Sequence, residues 1–271
     1  MPLIISPKAC ADNHPLTSWE REIDRSRINF IVRRKIRGLA GRKRLGSIWL
    51  VLHPVINSLV YVFVFTVIKS NPNLTSLFVG ITMFNIFSSS IKSGVNSVKD
   101  FSGGIKGERV RTRVIAKSMV LYRIIDCLLQ SIGVSILLFL FFDVTLTGIF
   151  LFVLTCSIIG VAAEQFALNL SLLARRLPDV TNLIDYGLKI MFFGSPVLYP
   201  LSITEGIHRS VNDWNPFAIF VEAGREFIGV ESEFNQLMGA KSAIILLTVG
   251  ILAVRGHLTM DKFRWEVSSW S

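Results

Sequence analysis

WLVLHPVINSLVYVFVFTVI, Trp49 to Ile68, decides how the rest of the chain is read. As a helix it is long enough to cross a hydrocarbon layer of roughly 30 Å, which takes about 20 apolar residues. Yet His53, Pro54 and Asn57 sit in its first half. Trp49, His53, Asn57, Tyr61 and Phe65 follow i+4 spacing. An i+4 row drifts by about 40° per step, so these side chains form one winding ribbon of rings and hydrogen-bonding groups. Polar groups at such depth are costly, and they face a bundle interior or a hydrated path.

Working outward, the chain of 271 residues is 51% hydrophobic and 18% charged, with a mean hydropathy of +0.53. Soluble domains carry about 25% charged residues. The apolar residues come in continuous blocks, whereas a membrane barrel strand alternates over about 10 residues. The chain therefore reads as an all-α integral membrane protein. Six spans are predicted, at about 47–68, 74–91, 114–142, 144–174, 180–199 and 238–255. The third and fourth meet at a tight connection around Asp143.

The net charge of +10 points to a bilayer rather than to nucleic acid, because the cations flank apolar blocks. Eleven Lys and Arg lie in the first 44 residues, and seven more between Lys92 and Lys117. By the positive-inside rule both termini are predicted to be cytoplasmic. Ahead of the first span, Thr17 and Glu20 form a capping-box pattern that opens a helix. Trp19, Ile23 and Phe30 lie on one side of it and arginines fall mostly elsewhere. Such a basic helix lies flat in the headgroup layer, or else packs as an ordinary amphipathic helix.

Catalytic signatures are missing from the sequence. GRKRLGS (Gly41–Ser47) has two glycines at phosphate-loop spacing but no lysine after the second, and no strand precedes it. There is no H-E-x-x-H, G-x-S-x-G or D-x-D, and the four histidines are scattered. Cys10, Cys127 and Cys156 lack metal-site spacing, so neither a metal nor a disulfide framework is expected.

The fifth span repeats the theme of the first. Asn182, Asp185, Tyr186, Lys189 and Phe193 share one side, leading into GSPVLYP and Tyr199. Asp185 and Lys189 are i,i+4 and are predicted to pair. Glu164 and Gln165 add polarity to the fourth span, and Arg123 and Asp126, three apart, are predicted to pair in the third. Two readings stay open for the ribbons: polar contacts between helices, or the lining of a path for a polar, flat-faced solute such as a sugar.

Three stretches in order, LGSIWLVLHPVINSLVYVFVFTVI, LPDVTNLIDYGLKIMFFGSPVLYP and NPFAIFVEAGREFI, resemble the membrane subunit of ABC-2 type exporters, in the branch that exports O-antigen, capsule or teichoic-acid polysaccharides. The resemblance covers about residues 16–256. It implies a homodimer with six spans per copy and two separate ATP-binding subunits. ATP and Mg would be held by those partners, with no cofactor in this chain. It implies a channel lined by the first and fifth spans, hence by Trp49, His53, Asn57, Tyr61, Phe65, Asn182, Asp185, Tyr186, Lys189, Phe193 and Tyr199.

The same resemblance divides the chain into a tail (1–15), an amphipathic interface helix (16–44), a membrane domain (45–256) and a cytoplasmic tail (257–271). A coupling helix is expected at about 94–106, with Val95, Val98, Phe101 and Ile105 toward the ATPase. External gate helices are expected at about 201–236, with Trp214, Phe217, Phe220 and Phe227 dipping into the outer leaflet. Arg33, Arg34, Lys35 and Arg37 are candidates for an anionic lipid headgroup, or act only as a positive-inside anchor. The implied substrate is a polysaccharide linked to polyprenyl pyrophosphate, exported across the bacterial inner membrane. Export of a drug or small lipid, and membrane glycosyl transfer, are the competing functions.

Overall fold

The computed structural model describes residues 18–40, 48–68, 73–104 and 112–268. The side chains of Trp49, His53, Tyr61, Phe65, Val98 and Phe101, and all of Ile105, lie outside the described residues, as do the tail 1–15 and Thr17. Among the described residues the secondary structure is helical, without strands. The helices are α1 (Ser18–Ala40), α2 (Ile48–Ile68), α3 (Leu74–Gly104), α4 (Thr112–Phe141), α5 (Leu146–Arg176) and α6 (Asp179–Gly194). A 3-10 turn (Leu201–Ile203) follows, then α7 (Gly206–Asp213), α8 (Pro216–Ile228), α9 (Phe234–Leu237) and α10 (Ala240–Ser268).

Each predicted span falls on a helix. Four stretches among the described residues are long and apolar enough to cross a membrane: Leu74–Ser97, Val114–Phe141, Leu146–Ser171 and Ala240–Leu258. α6, with 16 residues, is shorter than these. Two boundaries differ from expectation. α3 does not stop near residue 91 but continues to Gly104, so no separate coupling helix interrupts it among the described residues. α10 runs on to Ser268, well into the predicted C-terminal tail.

α5 is the hub of the bundle: α3, α4, α8 and α10 all pack against it. The junction between α4 and α5 is the tight one expected. Asp143 takes φ +49°, and Thr145 caps α5 by accepting from Gly148 N at 3.1 Å. Several α5 contacts require the absence of a side chain, two of them at glycines of neighbouring helices. A Cβ on Gly94 of α3 would collide with the Glu164 carbonyl, and one on Gly256 of α10 with the Gln165 carbonyl. Close approach of this kind drives helix association where lipid removes the hydrophobic gain. The α5–α10 seam is finished by polar contacts, Asn169 Nδ2 to Leu252 O at 2.8 Å and His257 Nδ1 with Gln165 Oε1 at 2.9 Å.

One charged cluster joins α3, α4 and α5. Arg123 donates to Asp126 Oδ2 at 2.8 Å, as its spacing predicts, and also to Glu164 Oε1 at 3.1 Å. Arg123 is 2% exposed and Glu164 0%. Ser93 Oγ donates to the same Glu164 oxygen at 2.7 Å, and Gln130 Nε2 to Asp126 at 3.0 Å. Burying two charges costs several kcal/mol per ion, offset only where geometry is good and further hydrogen bonds are made.

α1 lies along α4. Ile28, Ile31, Val32 and Lys35 turn toward the bundle, and the Lys35 ammonium sits 5.0 Å over the Tyr122 ring. Trp19 and Phe30 face outward, with Arg33, Arg34 and Arg37 also exposed.

Two outcomes follow for stability in detergent. Glu164→Ala leaves the Arg123 charge buried without its inter-helix partner and lowers unfolding free energy by about 3–5 kcal/mol; Glu164→Gln, which keeps hydrogen bonds, costs less. Gly256→Leu forces α10 off α5, and a cysteine pair across that seam then loses its disulfide cross-linking.

Candidate functional site

The candidate site is built from the polar and aromatic side chains of α2, α6 and the segment after it. In α2 the described part of the predicted ribbon is Asn57, half-buried at the edge of an otherwise exposed apolar face. Its Nδ2 donates to Asn85 Oδ1 of α3 at 3.1 Å. Asn85 was missed by the sequence reading, although it stands out as the single carboxamide in LFVGITMFNIFSSS.

α6 begins after Leu177–Pro178 and buries Leu188 and Phe192. Phe192 meets Phe84 of α3 edge-on at 4.9 Å between centroids. The opposite face is uncovered. Asn182 and Lys189 are exposed, Tyr186 is 62% exposed and Phe193 68%.

The predicted Asp185–Lys189 pair does not form. Asp185 is bound instead by Lys92 Nζ of α3 at 2.8 Å. The Lys189 ammonium lies 5.1 Å over the Tyr186 ring. The reason is the length of α3: with the span expected to end near residue 91, Lys92 counted as a loop cation, whereas the continued helix carries it alongside α6.

At the end of α6 the chain turns sharply. Tyr199 Oη donates to Phe193 O at 3.1 Å and meets His208 Nε2 of α7 at 2.9 Å. Asn212 Nδ2 donates to Gly194 O at 3.0 Å. α7 presents Ile207 and Val211 outward, Trp214 just after it is also exposed, and Lys241 sits 5.8 Å over the Trp214 ring. α8 starts with Asn215 accepting from Phe217 N at 3.0 Å, with Pro216 in the first turn.

Two predicted residues are corrected here. Phe217 does not dip outward: it is 1% exposed, with its ring 5.7 Å from Phe84 and 4.9 Å from Phe87. The inner face of α8 carries it into the core, and Phe220 and Phe227 are half-buried. Val95 is not free for a partner: it is 2% exposed within the chain's own core, because this part of α3 still packs on α5.

The sequence reading also missed a second buried charge pair. Arg225 Nη1 donates to Glu222 Oε1 at 2.6 Å, and both side chains are fully buried. Burial lowers the Arg225 guanidinium from the usual arginine range, and the Glu222 carboxylate opposes that. The other Glu222 oxygen accepts from Glu233 N at 2.9 Å, and Arg209 pairs with both Asp213 and Glu233. α7, α8 and the stretch before α9 are thereby tied together. The spacing E-x-x-R within an apolar helix was the available signal.

What this site offers is non-covalent. α6 shows rings, a carboxamide and an ammonium on one face, while the inner face holds it to α3.

A family model described as ABC-2 type transporter matches residues 26–228. The polysialic acid transport protein KpsM of Escherichia coli is 25% identical over 251 residues, which cover 86% of this chain and 94% of that protein. The O-antigen export system permease protein RfbA of Myxococcus xanthus is 26% identical over 179 residues, 64% of this chain and 67% of that protein. With most of its length matched by that family model and several helices fit to cross a bilayer, the chain is a multi-pass membrane protein that belongs to the ABC-2 type transporter family.

Proposed function

We propose that the chain is the permease subunit of an ABC transporter that exports a lipid-linked polysaccharide across the bacterial inner membrane. The observation that carries this reading is the uncovered polar and aromatic face of α6, with Asn182, Tyr186, Lys189 and Phe193 side by side. Sugar rings stack their C–H faces on aromatic rings while polar side chains take hydroxyls. The names of the relatives, polysialic acid transport and O-antigen export, support the same substrate class.

In this reading six helices span, α2 to α6 together with α10, and both termini are cytoplasmic, where the cations concentrate. Two copies meet with α2 and α6 toward their common axis, and the passage runs between them. Trp49, His53, Asn57, Tyr61, Phe65 and Tyr199 complete its wall. Two ATP-binding subunits dock on the cytoplasmic side, around the end of α3 near Val98, Phe101 and Ile105. They hold ATP and Mg and supply the closing motion. The exposed arginines of α1, Arg33, Arg34 and Arg37, meet an anionic pyrophosphate headgroup, with Trp19 and Phe30 in the interfacial layer. α7 and α8 form the external gate, with Trp214 toward lipid. The rings give a sliding surface without deep wells, since a conduit must bind weakly enough to release.

Deletion of the gene is expected to leave lipid-linked glycan on the cytoplasmic face, measured in spheroplasts with a membrane-impermeant lectin; normal surface display would refute the function. Tyr61→Ala and Phe193→Ala are each expected to lower export severalfold while co-purification with the ATPase stays intact. Unchanged flux in both would remove α2 and α6 from the wall.

A further inference from the structure

Lys189 is the feature that a neutral sugar does not need. It is the eleventh residue of a 16-residue helix, inside both terminal turns. Its ammonium has no carboxylate within ion-pair distance among the described residues, since Asp185 is taken by Lys92. It is held over the Tyr186 ring at 5.1 Å instead. An ammonium at such a position is expensive in hydrocarbon and calls for water or an anion beside it.

The surroundings sharpen the chemistry. Lys92 and Asp185 cancel, so along the middle of the exposed face the remaining charge is the ammonium of Lys189; the other carboxylate of the face, Asp179, lies ten residues away at the start of the helix. Tyr186 lies three residues before it and Phe193 four after, all on the same side, so the ammonium stands between two exposed rings. Rings spaced around a cation fit a chain of pyranoses bearing acidic groups: the faces stack and the acid meets the ammonium.

We propose that the α6 face is selective for acidic glycans, with Lys189 as the residue that recognises their carboxylates. This rests on the conduit reading above and specifies its substrate. A neutral glycan gains the stacking alone. Lys92 acts as a positioning residue, because it screens Asp185, which would otherwise repel the same acid. Two copies of the chain present the rung twice.

The test uses the full-length chain in phosphatidylcholine nanodiscs, with oligogalacturonate and a neutral maltodextrin of matched length as probes in calorimetric titrations. The wild type is expected to bind oligogalacturonate about fivefold more tightly at low salt, the scale of one exposed ion pair, and to lose that margin at high salt. Lys189→Gln brings the two probes level, Lys189→Arg keeps the preference, and Lys92→Met weakens oligogalacturonate alone. Each variant is checked for an unchanged elution volume. Equal binding of both probes by the wild type overturns acidic selectivity and leaves the conduit standing. A preference retained by Lys189→Gln overturns the role of Lys189. Binding of neither probe overturns the selectivity, while the conduit stands or falls by the export assay above. Loss of oligogalacturonate binding when phosphatidylglycerol is added places lipid headgroups at Lys189 and overturns the proposal.

Discussion

Arg123 sits where three helices cross, and its guanidinium is the constraint around which the bundle is arranged. One fork reaches Asp126 on its own helix, the other reaches Glu164 on α5, and Ser93 of α3 reaches the same carboxylate. In a bilayer, apolar side chains gain little by leaving lipid for protein. Greasy helices by themselves therefore choose neither partner nor register. A buried ion pair contributes doubtful net stability but penalises every arrangement that separates its members. Here the register that pairs Arg123 with Glu164 also brings Gly94 onto the Glu164 carbonyl. Charge specifies the alignment, and the small residue lets the backbones close.

From that centre, order falls off toward the edge. α8 is locked by Glu222 and Arg225 and by the rings of Phe217, Phe84 and Phe87. α10 is held along α5 by Asn169 and Gln165. α6 has much less: two buried side chains, one half-exposed ion pair, and the turn that follows it. The weakly covered element is also the one with rings and charges on its open face. In a transporter that combination is expected, since the elements that move are drawn from the less stable end of a fold.

Much of this was legible in the sequence, and the limits have physical reasons. The apolar blocks located the helices, because the length needed to cross a bilayer is written directly in composition. The Arg123–Asp126 pair was legible because i,i+3 spacing fixes its geometry locally. Glu164 as the third member was not, since it lies 41 residues away and depends on packing. The same limit misled the reading of Asp185: local spacing offered Lys189, and a helix crossing supplied Lys92. Phe217 and Val95 show a further one. In a chain where apolar residues face both lipid and core, hydrophobicity says nothing of direction, so the side a phenylalanine or valine takes emerges only once its neighbours are in place.

The turn after α6 sets how that helix can move. Gly80 admits the Val197 carbonyl directly against the α3 backbone, and an added Cβ there would collide with it. Asn212 and Tyr199 hold the carbonyls of Gly194 and Phe193. Leu188 and Phe192, the buried pair, both belong to the second half of the helix. The far end, near Asp179, follows α5 after the short link Leu177–Pro178. The buried anchors of the helix are thus gathered toward its C-terminal end, and its first turns lean on the two-residue link from α5 and on the Lys92–Asp185 pair.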